Sequence, residues 1–175
     1  MEADTFGNLL AALRAIGVAV GLAALLGLER ELARKPAGLR THMLVGLAAA
    51  LLVRLGNVYV ERFAAEFGGV VRADPIRVIE AIVVGISFLG AGTIVRDRGE
   101  RVEGLTTAAS VLVTAAIAIA AALDRQALAA TVALATVAIL MLVGWLEKRL
   151  VARDAGQEGV ASGRPSRDTT PPERA

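Results

Sequence analysis

Two long stretches of this 175-residue chain, Gly104–Leu123 and Gln126–Leu146, contain no charged side chain, and three others come close. Leu9–Leu28 is broken only by Arg14. Thr41–Val60 holds His42, Arg54 and Asn57, and Ile76–Val95 holds Arg77 and Glu80 near its start. A helix rises 1.5 Å per residue, so about 20 residues cross the ~30 Å hydrocarbon core of a bilayer. All five segments reach that length once their terminal charges extend to the interface. Arg14 sits towards one end of its segment, where it can snorkel at less than the about 3 kcal/mol that Arg costs at a helix centre. Thr41–Val60 is the weakest segment, because its clean stretch, Met43–Val53, is short. Arg54 must reach outward or face other helices, and a re-entrant helix is the alternative. The expected fold class is all-α: a polytopic membrane protein with about five transmembrane helices.

Composition agrees. Hydrophobic residues make up 55% of the chain and aromatics only 3%, whereas a soluble domain runs about 45–50% apolar. The excess is Ala, Leu, Val and Gly, the residues of closely packed membrane helices. The absence of cysteine excludes disulfides, thiolate nucleophiles and thiolate metal sites. The net charge is +2. Its basic residues flank apolar runs as topology signals, so nucleic acid is not an expected partner. Met1-Glu2-Ala3-Asp4 is acidic where a cleavable signal peptide would be basic. There is no P-loop, nucleophile elbow, H-E-x-x-H or Cys/His cluster, so neither an enzyme nor a cofactor is expected.

Loop charge sets the expected orientation. With the N-terminus outside and the C-terminus in the cytoplasm, the short inner loops hold Arg30, Arg34, Lys35 and Arg40, then Arg96, Arg98 and Arg101. The positive-inside rule favours that arrangement. Gly56–Pro75 is the longest outer connection, with an amphipathic surface helix expected around Val58–Phe67. The membrane domain is read as residues 1–150. The segment 151–175, rich in Gly, Ser, Arg, Asp and Pro, cannot bury a core and is expected to be a disordered cytoplasmic tail.

The polar motifs fall at helix ends. Gly27-Leu28-Glu29-Arg30-Glu31 closes the first helix, and Ala37-Gly38-Leu39-Arg40-Thr41-His42 opens the second. Phe88-Leu89-Gly90-Ala91-Gly92 approaches the end of the third, and Gly104-Leu105-Thr106-Thr107-Ala108-Ala109 opens the fourth. All four lie on the cytoplasmic side of the expected topology, which points to one cluster of Glu29, Arg30, Arg40, Thr41, Gly90, Gly92, Thr106 and Thr107. Gly90 and Gly92 let backbones approach, as does the G-x-x-x-G pair Gly17/Gly21. Thr41, Thr106 and Thr107 are candidate caps. The structural alternative is an ion-pair network of Glu29, Arg30, Glu31 and Arg40 that staples the first two helices. The functional alternative is a cation at Glu29 or an anion at the helix dipole ends. On the outer side, Asp74-Pro75 reads as an N-cap followed by Pro at the first helical position. Glu80 lies inside the third helix, where a carboxylate is expensive, with Arg77 its nearest partner. His42, the sole histidine, reads as interfacial rather than as a metal ligand. No metal is assigned.

The ordered set G-L-E-R-E, A-G-L-R-T-H, D-P-x-R, F-L-G-A-G and G-L-T-T-A-A resembles the MgtC/SapB family over Leu9–Leu123, and the family's fifth helix fits Gln126–Leu146. The resemblance implies a bacterial inner-membrane protein linked to growth at low magnesium, with restraint of the proton-translocating ATP synthase in some members. Ser87 stands where the family commonly has glycine, which loosens or re-spaces the third helix. Many members carry a soluble C-terminal domain, and here only a short tail is present. The expected function is a regulatory protein acting on a membrane partner through helix contacts. The alternative is an oligomeric Mg²⁺ transporter or channel using Glu29 and Glu80. Lipid is the expected surroundings, and a homo-oligomer is open.

Overall fold

The computed structural model of the chain describes residues 2–66, 74–96 and 102–161. Five helices follow one another: α1 (Glu2–Leu32), α2 (Leu39–Glu66), α3 (Pro75–Thr93), α4 (Leu105–Ala122) and α5 (Gln126–Ala161). Each contains a stretch long and apolar enough to cross a membrane. The chain is therefore an all-α polytopic membrane protein. The one β element among the described residues is a two-stranded ribbon of β1 (Val95–Arg96) and β2 (Val102–Glu103). It pairs antiparallel between α3 and α4, with Val95 opposite Glu103.

By contact the chain falls into two units, 1–139 and 140–175. In the first, α4 is the hub and packs against α1, α2 and α3. More than half of its span is buried. Neighbouring helices run in opposite directions: Gly46 of α2 meets Ala23 of α1, Gly56 meets Val78 of α3, and Gly90 of α3 meets Ala108 of α4. The core between them is built from small residues, including Ala15, Ala19 and Ala23 on one face of α1, Ala49 and Ala50 on α2, and Ala115, Ala118, Ala121 and Ala122 on α4. Lipid is as apolar as leucine, so burial alone does not draw these helices together. Close backbone approach does, and alanine and glycine permit it. Many large apolar side chains point the other way, with Leu10, Leu44, Val84, Phe88 and Leu134 exposed on the outside of the bundle. In the second unit α5 continues to Ala161, and the Arg149 guanidinium stacks 4.1 Å over the Trp145 ring.

Several expectations change. α2 is one continuous 28-residue helix, so the segment around Arg54 crosses and does not re-enter. The expected surface helix at Val58–Phe67 is the C-terminal part of α2 up to Glu66, and Phe67 lies outside the described residues. Arg54 is accommodated by tertiary structure: its Nη2 donates to Asp124 Oδ1 at 2.8 Å. Asp124 holds φ +60° at the end of α4, where the Arg125 N–H reaches Ala120 O and the Asp124 N–H reaches Ala121 O. That pair of bonds is a Schellman termination, with a short polar residue in the left-handed position. The Asp124 side chain is 64% exposed, so Asp124→Asn is expected to cost at most about 1 kcal/mol in thermal unfolding. A loss beyond about 2 kcal/mol would show the pair to be shielded from solvent. The backbone of 151–161 continues α5 as a helix; residues 162–175 lie outside the described residues.

A buried polar junction at one end of the bundle

The end of α1, the start of α2, the end of α3 and the start of α4 meet at one end of the bundle. α1 terminates at Leu32 with Arg34 at φ +54°, and the Lys35 N–H bonds Arg30 O at 3.0 Å. The short turn that follows returns the chain to α2 beside its own last helical turn. A Cβ on Gly27 would lie 2.8 Å from Leu39 Cα, and one on Gly38 would lie 1.9 Å from Glu31 Oε2. Gly27 meets backbone and so excludes larger residues, whereas a side chain at Gly38 would displace the Glu31 carboxylate. Glu31 uses that proximity: its Oε2 accepts from the Leu39 N–H at 2.8 Å. A carboxylate there meets the positive end of the α2 dipole. Thr41, the expected cap, is exposed. The staple between α1 and α2 is thus a side-chain-to-backbone bond from Glu31, and Arg40 takes no part in it.

Arg30 is 3% exposed. Its Nε and Nη2 both donate to the Glu29 carboxylate, the latter at 2.7 Å. A two-point guanidinium–carboxylate contact satisfies donors and acceptors together, which a buried charge pair requires. His42 is fully buried within the bundle. Its Nδ1 lies 2.9 Å from Gly38 O and its Nε2 3.3 Å from Ser110 Oγ on α4. The carbonyl accepts only, so Nδ1 carries a hydrogen. Ser110 has one hydrogen and two acceptors in reach, His42 Nε2 and, at 2.8 Å, Thr107 O. Thr114 donates to Ser110 O at 2.8 Å, and Thr107, Ser110 and Thr114 are all buried. The result is a buried polar seam linking α1, α2 and α4.

α4 begins differently from the expectation that Thr106 or Thr107 caps it. Its N-cap is Gly104, with φ +91° and no side-chain bond. Thr107 faces the core, whereas Thr106 is exposed. Gly90 is buried against Ala108; Gly92 is exposed with open space around it. The structure therefore gathers Glu29, Arg30, Gly90 and Thr107 at this end and leaves Arg40, Thr41, Gly92 and Thr106 on the outside. It adds Glu31, Gly38, His42, Ser110 and Thr114. Of these, Ser110 and Thr114 were legible as two polar positions four apart in an otherwise apolar helix. Gly17 and Gly21 have no neighbour within 4 Å of a built Cβ, so that G-x-x-x-G pair is not an internal contact.

At the far end, Asp74 Oδ1 accepts from the Ile76 N–H at 3.0 Å with Pro75 at the first helical position. Arg77 and Glu80 are both exposed and form no ion pair with each other among the described residues. A charged side chain costs about 2.5–3.5 kcal/mol at the middle of a membrane helix, and less towards its ends. Asp74, Arg77, Glu80, Ala81, Val84 and Gly85 border a shallow open groove along α3. Among the described residues no three His, Asp or Glu side chains converge as metal ligands would.

Five helices, each with a stretch long and apolar enough to cross a membrane, define a polytopic integral membrane protein. Residues 16–149 match the MgtC family, and the chain belongs to that family. The MgtC protein of Brucella abortus is 39% identical over 142 residues, 78% of this chain and 54% of that protein. The putative magnesium transporter YhiD of Escherichia coli K12 is 40% identical over 93 residues, 53% of this chain and 41% of its own length. The SapB protein of Bacillus subtilis is 31% identical over 105 residues, 60% of this chain and 44% of its own length. The chain thus spans about half of the relatives it matches. No solved structure matches it.

Proposed function

We propose that this protein is a bacterial inner-membrane regulator linked to magnesium limitation and membrane energetics, acting through helix contacts with a membrane partner. The observation that carries this reading is the closed polar seam. Glu29 and Arg30 satisfy each other, Glu31 is spent on the α2 backbone, and His42 is held by Gly38 and Ser110. These groups serve as an internal frame and leave the exterior faces for recognition. The relatives named MgtC and magnesium transporter supply the link to magnesium. The family resemblance makes the proton-translocating ATP synthase the partner to test. The positive-inside rule supports an outside N-terminus and a cytoplasmic polar seam.

One observation favours the transporter reading: Glu80 is an exposed carboxylate on a membrane-crossing helix, which an oligomer would turn inward. Mg²⁺ keeps most of its waters and takes one or two carboxylates. Proteoliposomes separate the two. With folded, inserted protein, no Mg²⁺ flux is expected from wild type, Glu29→Gln or Glu80→Gln, while ATP-driven proton pumping by co-reconstituted ATP synthase should fall. Flux abolished by Glu80→Gln would establish transport instead, and unaltered proton pumping would remove this partner.

A further inference from the structure

α3 has two faces of opposite character. Ile82, Ile86 and Gly90 are buried. On the opposite side, at helical spacing, Arg77, Glu80, Ala81, Val84, Gly85 and Phe88 are all exposed, with Val84 69% and Phe88 81% exposed. We propose that this face is the contact between two copies of the chain, in which Arg77 of each copy pairs with Glu80 of the other across a two-fold axis. This goes beyond the regulatory reading and does not rest on it.

Three observations converge. The face carries one positive and one negative side chain a single turn apart, and neither is in an ion pair among the described residues. A two-fold axis brings the same patch to itself, so such a face is self-complementary and both charges are matched twice. A lipid-facing position offers neither charge a counterpart. Glu80 stands about 7.5 Å along the helix from Pro75 at 1.5 Å per residue, inside a span long and apolar enough to cross a membrane. Finally, Gly85 has nothing within 4 Å of a built Cβ, so no contact among the described residues calls for glycine there. With Ala81 it forms a small-x-x-x-small pair aimed outward, the pattern that lets membrane helices approach closely.

The chain contains no cysteine, so single-cysteine variants of the full protein report directly on this face. In proteoliposomes with copper phenanthroline as oxidant, Val84→Cys and Phe88→Cys are expected to give disulfide-linked dimers. Leu44→Cys on exposed α2 and Leu134→Cys on exposed α5 are expected not to. In single-molecule photobleaching, Glu80→Arg should lower dimer affinity by about tenfold or more, because like charges then face each other. Adding Arg77→Glu to it should restore dimers, which a merely misfolded variant could not do. Monomers at every protein-to-lipid ratio would overturn the proposal. So would stronger cross-linking at the control positions, or a charge reversal without effect.

Discussion

Gly104→Val is expected to be the most damaging single substitution at the polar end of the bundle. Gly104 holds φ +91° at the start of α4, a region that β-branched residues occupy only under strain. A Cβ there would also lie 2.0 Å from Thr93 O, and a backbone oxygen cannot rotate away. Left-handed strain costs about 1–3 kcal/mol and overpacking a further about 1–3 kcal/mol. Together they should displace α4, which carries the buried seam and contacts three other helices. Even Gly104→Ala meets the same oxygen and should lower the thermal unfolding midpoint in detergent substantially. Gly17→Ala and Gly92→Ala, which have open space, serve as controls and should leave it unchanged. A Gly104→Ala protein with the wild-type midpoint would show that the α3–α4 connection is not packed as described.

The second large effect concerns Arg30. With Arg30→Met the Glu29 carboxylate, 14% exposed, loses its counter-ion. Breaking a buried pair from one side costs about 3–5 kcal/mol, while removing both partners costs far less. Arg30→Met should therefore destabilise strongly, Glu29→Gln should also destabilise, and Arg30→Met with Glu29→Leu should recover much of the loss. A double-mutant cycle of unfolding free energies in mixed micelles reads the coupling. Additive losses would mean that the two side chains do not act as a pair. The same cycle bears on function, because a frame whose loss is rescued by apolar residues is structural and not an ion path.

The number and placement of the helices were legible because crossing a bilayer demands a length of apolar chain that a sequence displays openly. Asp74-Pro75 was legible for a local reason: an Asx cap and an N1 proline act within one turn. Other readings failed where a distant element decided. Thr41 looked like a cap, but α2 begins two residues before it, at Leu39, whose N–H donates to Glu31 from the end of α1. Nothing in the sequence marked His42 as the residue that α4 would cover with Ser110. Arg54 threatened the second span, and Asp124, supplied by the α4–α5 turn, accommodates it. Gly17 and Gly21 carried a packing motif that no neighbour uses.

By itself, the sequence determined that this protein is all-helical, that it crosses a membrane, and roughly where each crossing begins and ends. Those properties follow from hydropathy and length, which are additive along the chain. Tertiary structure alone decided which face of each helix packs, which polar groups are buried and which charges remain outside. In a soluble helix the polar side marks the surface. In a membrane helix both sides are apolar, and the packed face is the one whose small residues fit a neighbour. That fit is a property of pairs of helices, so it arises only once they meet.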